Sequence, residues 1–238
     1  TGIFFTNKNE EDAQQNILGY EYFYNGGGVA LGDINNDGLI DIYFSSNQGE
    51  NKLYLNKGNL LFEDITEKSG VAAPLGWKTG VAMVDINADG YIDIYLSRSG
   101  DLPPESRRNI LFINNKDLTF TNQAGAYGLD DDSYSTQAAF FDFDRDGDLD
   151  AFLLNHSRLT ISNSYDIARR NSNQRVRYVG NKLYRNDGGK FHDISDSAGI
   201  LGPASNYGLG VAYSDLNNDG WIDLYTSNDY TGKDKLFL

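Results

Sequence analysis

Asp33-Ile34-Asn35-Asn36-Asp37-Gly38-Leu39-Ile40-Asp41 recurs three more times along the chain. The other copies are Asp85-Ile86-Asn87-Ala88-Asp89-Gly90-Tyr91-Ile92-Asp93, Asp142-Phe143-Asp144-Arg145-Asp146-Gly147-Asp148-Leu149-Asp150 and Asp215-Leu216-Asn217-Asn218-Asp219-Gly220-Trp221-Ile222-Asp223. Successive copies start 52, 57 and 73 residues apart. Similarity extends outward from each copy. A small, apolar stretch precedes it (Gly28-Val29-Ala30-Leu31 before the first) and an apolar run follows it (Ile42-Tyr43-Phe44). A third element comes next, at Lys52–Asn56, Ile110–Asn114, Lys182–Asn186 and Lys235–Leu238. A fourth begins at Phe62, Phe120 and Phe191, and each of these leads to a turn at Gly70, Gly128 or Gly199.

Each unit therefore reads as four short strands separated by turns. Repeats of this length with four strands apiece are the pattern of a β-propeller blade. A single blade cannot bury both of its faces, so neighbouring units must stack. The expected fold is an all-β propeller with repeats at about 26–79, 80–136, 137–207 and an incomplete one at 208–238, after a lead-in at 1–25. A β-sandwich has no need of the same acidic loop at the same place in every unit.

The nine-residue loop suits a hard cation. Positions 1, 3, 5 and 9 carry side-chain oxygens, the carbonyl at position 7 can point inward, and glycine at position 6 permits the sharp turn. The candidate ligands are Asp33, Asn35, Asp37, the Leu39 carbonyl and Asp41; Asp85, Asn87, Asp89, the Tyr91 carbonyl and Asp93; Asp142, Asp144, Asp146, the Asp148 carbonyl and Asp150; and Asp215, Asn217, Asp219, the Trp221 carbonyl and Asp223. Calcium accepts six to eight oxygen ligands, which this set and water can supply, so up to four Ca2+ ions are expected. Magnesium fits less well because of its strict octahedral geometry, and the absence of His and Cys from the loops argues against zinc or copper. An EF-hand needs a ligand at position 12, where this chain has Phe44, Leu96, Leu153 and Thr226. The Asp148 side chain, at the carbonyl position, is expected to face solvent.

Composition points the same way. The 238 residues include 16 Tyr, 13 Phe and 26 Gly, which favour strands and turns over helices. A net charge of −14 disfavours a nucleic-acid partner and suits cations or basic surfaces. Four divalent ions would carry eight positive charges and bring the chain from −14 to −6. There is no cysteine, hence no disulfide and no thiolate chemistry. No apolar run is long enough to span a membrane.

These loops and their flanks resemble the FG-GAP or VCBS repeats of integrin α-subunit propellers. The likeness covers residues 26–238 and is carried by Tyr24–Ala30, Trp77–Ala82, Phe140–Asp150, Leu154–His156 and Ser227–Asp229. It is closest to bacterial VCBS-repeat proteins of the ASPIC/UnbV and cartilage acidic protein group. The resemblance implies a seven-bladed propeller with calcium between the first two strands of each blade. It also implies an exported or cell-surface protein, extracellular or at a bacterial outer membrane, with a non-enzymatic role in adhesion or assembly with other surface or envelope proteins. A lipid anchor upstream of Thr1 is compatible with that placement. The Phe-Gly and Gly-Ala-Pro parts of the integrin repeat are not preserved here.

Four repeats fall short of seven blades, so the chain reads as a segment of a longer propeller. The alternative is a four-bladed ring in which Gly2–Thr6 supplies the missing strand. Alternative functions are a carbohydrate-binding accessory of a nutrient-uptake complex and a calcium-dependent enzyme. His156 and His192 are the two histidines, no Ser–His–Asp order stands out, and no paired Glu suggests glycoside chemistry. Tyr20, Tyr22, Phe23 and Tyr24 fit either a core or a sugar-stacking surface. Between Asn155 and Gly180 lies an insertion carrying Arg158, Arg169, Arg170, Arg175 and Arg177 against a single acid, Asp166. It reads as a solvated loop or as a docking arm for an acidic partner.

Overall fold

The structure, a computed structural model, describes residues 1–157, 177–200, 202, 206–230 and 232–238. Most of the arginine-rich insertion, including Arg158, Arg169, Arg170 and Arg175, lies outside the described residues. Arg177 is described, and its guanidinium sits 4.6 Å from the centre of the Tyr178 ring.

The fold is all-β, with strands arranged in four antiparallel sheets. The first sheet holds β1 (Val29–Gly32), β2 (Asp41–Phe44), β3 (Lys52–Asn56) and β4 (Phe62–Asp64) in sequential order. The second holds β5 (Trp77–Val84), β6 (Asp93–Ser99), β7 (Ile110–Asn114) and β8 (Phe120–Asn122). The third holds β9 (Ser135–Phe141), β10 (Asp150–Asn155), β11 (Lys182–Asn186) and β12 (Phe191–Asp193). The fourth has three strands, β13 (Gly208–Ser214), β14 (Asp223–Asn228) and β15 (Lys235–Phe237). Among the described residues, three four-residue helices, α1 (Thr66–Ser69), α2 (Pro104–Arg107) and α3 (Ala124–Tyr127), join strands. α1 and α3 stop at Gly70 and Gly128, whose φ values of 76° and 80° form left-handed caps. No helix among the described residues is long and apolar enough to cross a membrane.

Register repeats as the sequence suggests. Leu53 pairs with Tyr43, Leu111 with Tyr95, Leu183 with Phe152 and Leu236 with Tyr225. β5 and β9 start a few residues before the repeat boundaries drawn from sequence at 80 and 137.

The chain forms two compact units, Thr1–Asp132 and Ser133–Leu238, with two sheets in each. In the first unit, Ile34 of the first Asp-rich loop and Tyr43 and Leu53 of one sheet pack with Ile94, Leu96 and Phe112 of the other. In the second, Ala139, Phe152 and Leu183 pack with Leu224 and Phe237. Each large side chain so buried contributes about 1.5–3 kcal/mol. The buried Tyr43 hydroxyl donates to the Val71 carbonyl (2.7 Å) and accepts from Asn51 Nδ2 (2.8 Å). Tyr95 repeats this with the Leu129 carbonyl (3.1 Å) and Asn109 Nδ2 (3.0 Å).

The lead-in contains no strand. Gly2–Thr6 is not the closing strand that a four-bladed ring requires; the Thr1 carbonyl instead accepts the Phe62 amide of β4 (2.8 Å). Tyr20, Tyr22 and Phe23 are buried, with Tyr20 and Phe23 against the Trp77 ring at 5.5 and 4.9 Å. Of the four aromatics weighed as a sugar surface, only Tyr24 is exposed.

Lys78 in β5 is fully buried and donates to the Gly49 carbonyl (2.7 Å). Burial, reinforced by the charge of Arg98, pushes its ammonium down to about 8. The folded chain therefore binds fewer protons than the unfolded chain between about pH 8 and 10.5, and stability rises with pH there. Urea midpoints measured from pH 7.5 to 9.5 should climb in the wild type more than in Lys78→Met. Parallel curves for the two proteins would show that Lys78 does not carry this dependence.

Candidate metal centre

Each of the four Asp-rich segments connects the first and second strands of its sheet, β1 to β2, β5 to β6, β9 to β10 and β13 to β14. Strands flank every copy, as the position-12 residues require, and no EF-hand helix follows any of them. The loop backbone alternates between ordinary and left-handed conformations. Position 4, occupied by Asn36, Ala88, Arg145 and Asn218, has φ between 54° and 62°. Position 6, always glycine, has φ between 84° and 96°, where a side chain would be strained.

One hydrogen-bond skeleton recurs. The position-1 carboxylate accepts the glycine amide: Gly38 to Asp33 (2.8 Å), Gly90 to Asp85 (2.8 Å), Gly147 to Asp142 (3.1 Å) and Gly220 to Asp215 (2.9 Å). The position-5 carboxylate accepts the amide of position 7: Leu39 to Asp37, Tyr91 to Asp89, Asp148 to Asp146 and Trp221 to Asp219, at 2.8–3.0 Å. Where position 3 is asparagine, its Nδ2 donates to the position-5 carboxylate, as in Asn35 to Asp37 (3.0 Å), Asn87 to Asp89 (3.2 Å) and Asn217 to Asp219 (3.0 Å). Positions 1, 3 and 5 are thus drawn together by hydrogen bonds in the first, second and fourth copies.

The third loop, with aspartate at all three positions, gathers carboxylates most closely. One oxygen from each of Asp142, Asp144 and Asp146 lies within 4.8 Å of the other two, the one such trio among the described residues. Asp142 Oδ1 and Asp144 Oδ1 are buried atoms with no hydrogen-bond partner. Buried carboxylate oxygens without donors are costly, and like charges this close repel. A hard cation would satisfy both, so this donor set fits calcium.

Position 9 behaves differently. Asp41, Asp93, Asp150 and Asp223 are buried, at 0%, 0%, 0% and 1% exposure. Asp41 accepts the Ile34 amide (2.9 Å) and the Asn56 amide (2.7 Å). Asp93 accepts those of Ile86 (3.1 Å) and Asn114 (2.8 Å), and Asp150 those of Phe143 (3.0 Å) and Asn186 (2.9 Å). Asp223 accepts the Leu216 amide (2.8 Å). Burial pushes the Asp93 and Asp150 carboxyls up to about 6, with neighbouring loop aspartates adding to the rise and the backbone amides opposing it. Asp150 stands outside the trio of its own loop. Sequence reading places position 9 among the ligands; the structure gives it a second role, tying the loop start to the third strand.

Asp148 also departs from expectation. Its side chain is half-buried and accepts the Gly188 amide (3.2 Å) rather than standing free in solvent. The partners of position 9 went unread in the sequence, although Asn56, Asn114 and Asn186 recur at the end of the third strand. Besides donating their amides to the aspartate, their side chains donate to the carbonyl of position 8: Ile40 (2.9 Å), Ile92 (3.1 Å) and Leu149 (3.1 Å). Asn51, Asn109 and Asn181, just before that strand, accept the amides of Ser46, Arg98 and Asn155 at 2.7–3.0 Å. His156 is buried with Nδ1 2.8 Å from the Ser157 carbonyl, and His192 lies in β12 with Nε2 3.6 Å from Asp187.

Antiparallel sheets repeated along the chain, each opened by the same acidic loop, define a β-repeat module. A family model described as "FG-GAP-like repeat" matches residues 33–96 and 165–226, just over half of the chain. The chain belongs to this family. The matched stretches take in the first, second and fourth loops; the third, at 142–150, falls between them. Cartilage acidic protein 1 of Xenopus tropicalis is 30% identical over 213 residues, covering 89% of this chain and 30% of that protein. The Mus musculus protein of the same name is 28% identical over 207 residues (85% and 29%), and that of Homo sapiens 28% over 211 residues (86% and 28%). The chain spans less than a third of the length of these curated relatives, which are its distant homologues. All three are animal proteins, so they carry the cartilage acidic protein side of the resemblance and not its bacterial side.

Asp93 and Asp89 separate the two roles. In calcium-free buffer, Asp93→Ala leaves two amides without their acceptor and should cost about 2–5 kcal/mol. Asp89→Ala, at the half-exposed position 5, should cost less than about 1 kcal/mol. Chemical denaturation in EDTA measures both, and equal losses would contradict the division.

Proposed function

We propose that this FG-GAP repeat module is a calcium-stabilised interaction module of an exported protein. The observation that carries the reading is the Asp142–Asp144–Asp146 trio with its two buried, unpartnered oxygens. Calcium held there would involve those three carboxylates and the Asp148 carbonyl. The equivalent groups are Asp33, Asn35, Asp37 and Leu39; Asp85, Asn87, Asp89 and Tyr91; and Asp215, Asn217, Asp219 and Trp221. Bound ions supply positive charge where aspartates crowd, which stabilises the folded loops without any bond-making chemistry.

The four sheets read as consecutive blades of a larger propeller, seven in number if the family resemblance extends to blade count. An extracellular or cell-surface location accords with that family and with a calcium requirement, and does not depend on a bacterial source. The partner class is other surface or matrix proteins, with the module acting in adhesion or assembly rather than as an enzyme. Burial of Tyr20, Tyr22 and Phe23 weakens the carbohydrate alternative by removing most of its stacking surface.

Calcium should stabilise the chelator-treated protein by about 2.7 kcal/mol per site at a hundredfold excess over Kd, and so raise its melting temperature. Magnesium at equal concentration should do less. Asp146→Ala should remove one site from the calorimetric stoichiometry. Absence of calcium uptake by the folded, metal-stripped protein would reduce the loops to turns.

A further inference from the structure

Neighbouring loops touch within each unit. In the first, Asn36 Nδ2, from position 4 of the first loop, donates to the Gly90 carbonyl at position 6 of the second (2.8 Å). Asn114 Nδ2 bridges the same two loops, donating to the Ile34 carbonyl (2.9 Å) and the Ile92 carbonyl (3.1 Å). In the second unit, position 4 of the third loop is Arg145, whose guanidinium carbon lies 4.0 Å from the centre of the Trp221 ring at position 7 of the fourth. It also crosses Gly220, where an added Cβ would come within 2.7 Å of a guanidinium nitrogen. In both units, the position-4 side chain of one loop reaches the turn that presents the position-7 carbonyl of the next.

We propose that the loops bind calcium as coupled pairs, first with second and third with fourth, with Asn36 and Arg145 as the positioning residues that join them. This rests on the calcium reading above. Arg145 stands between Asp144 and Asp146, so an ion held by those carboxylates fixes the backbone that carries the guanidinium. Arg145 then holds Trp221, and with it the peptide that offers the position-7 carbonyl of the fourth loop. Asn36 does the same for Tyr91 through the Gly90 carbonyl. Each pair has two arrangements, loose and ordered, and an ion in either loop favours the ordered one in both.

Simple electrostatics gives the opposite sign, which makes the proposal testable. Arg145 is a cation beside the fourth loop, so neutralising it should by charge alone tighten calcium binding there. Coupling requires that binding weaken. The amides of Gly38, Gly90, Gly147 and Gly220 each bond the first aspartate of their own loop and so report the four loops separately in 15N–1H NMR. Calcium is titrated into the full 238-residue chain, wild type and variants. In Arg145→Gln and in Trp221→Leu, the Gly220 midpoint should move to about two- to fivefold higher calcium. The double variant should add little to either change. Asp146→Ala, which disables the third loop, should move the Gly220 midpoint in the same direction, and Asn36→Ala should raise the Gly90 midpoint. An unchanged or lowered Gly220 midpoint in Arg145→Gln and Trp221→Leu, with all four glycines still responding, overturns the coupling and leaves the calcium reading intact. No response at any glycine in the wild type overturns both.

Discussion

The buried carboxylate at position 9 is the constraint on which the repeat depends. Asp41, Asp93 and Asp150 each accept one amide from the start of their loop and one from the end of the third strand. One side chain thereby sets the path of the loop and fastens the second strand to the third. Hydrogen bonds to a charged acceptor are stronger than neutral ones, and leaving their donors unmet in the interior costs more still. The asparagine that closes the third strand completes the arrangement by donating its side chain to position 8. With both ends fixed, the stretch between them holds left-handed turns at positions 4 and 6, the former at residues other than glycine, where such a conformation is uncommon.

That fixed frame is what lets the remaining aspartates face one another. Positions 1 and 5 accept backbone amides of their own turn in every copy, as the asparagines at position 3 do in the other three loops, which keeps these oxygens close despite mutual repulsion. In the third loop the crowding is greatest, and two oxygens are left buried without a donor. A chain with net charge −14 thus concentrates negative charge at places its backbone has already shaped. On the calcium proposal, stability and ion binding draw on different members of the same nine residues: the last aspartate ties the loop to the third strand, and the earlier positions would hold the cation.

Much of this was legible in the sequence. Repetition exposed the strands, because the same apolar runs recur around each loop, and it excluded the EF-hand through Phe44, Leu96, Leu153 and Thr226. The recurring third elements at Lys52–Asn56, Ile110–Asn114, Lys182–Asn186 and Lys235–Leu238 were visible too, and they put Leu53, Leu111, Leu183 and Leu236 in one register against the second strand. What stayed hidden depended on distance in three dimensions. Nothing in the spacing shows that Asp41 bonds Asn56, since a turn of variable length separates them. Asp148 occupies a position whose side chain looks free until Gly188 comes beside it. The aromatic run at 20–24 offered no periodicity to tell core from surface; the Trp77 ring decides it, with Tyr20 edge-on to it at 5.5 Å and Phe23 tilted against it at 4.9 Å. The reach of Arg145 to Trp221 across two repeats could not be read from either loop alone.

A crystal structure of the protein grown in calcium tests the account most directly. It should show one strong density peak inside the Asp142–Asp144–Asp146 trio, at about 2.3–2.6 Å from the carboxylate oxygens. The amide bonds of Asp41, Asp93 and Asp150 should remain as described. Weakly scattering water at that position in millimolar calcium, or a density peak bound to Asp150 with its two amide bonds broken, would contradict the division of labour between the last aspartate and the rest of the loop.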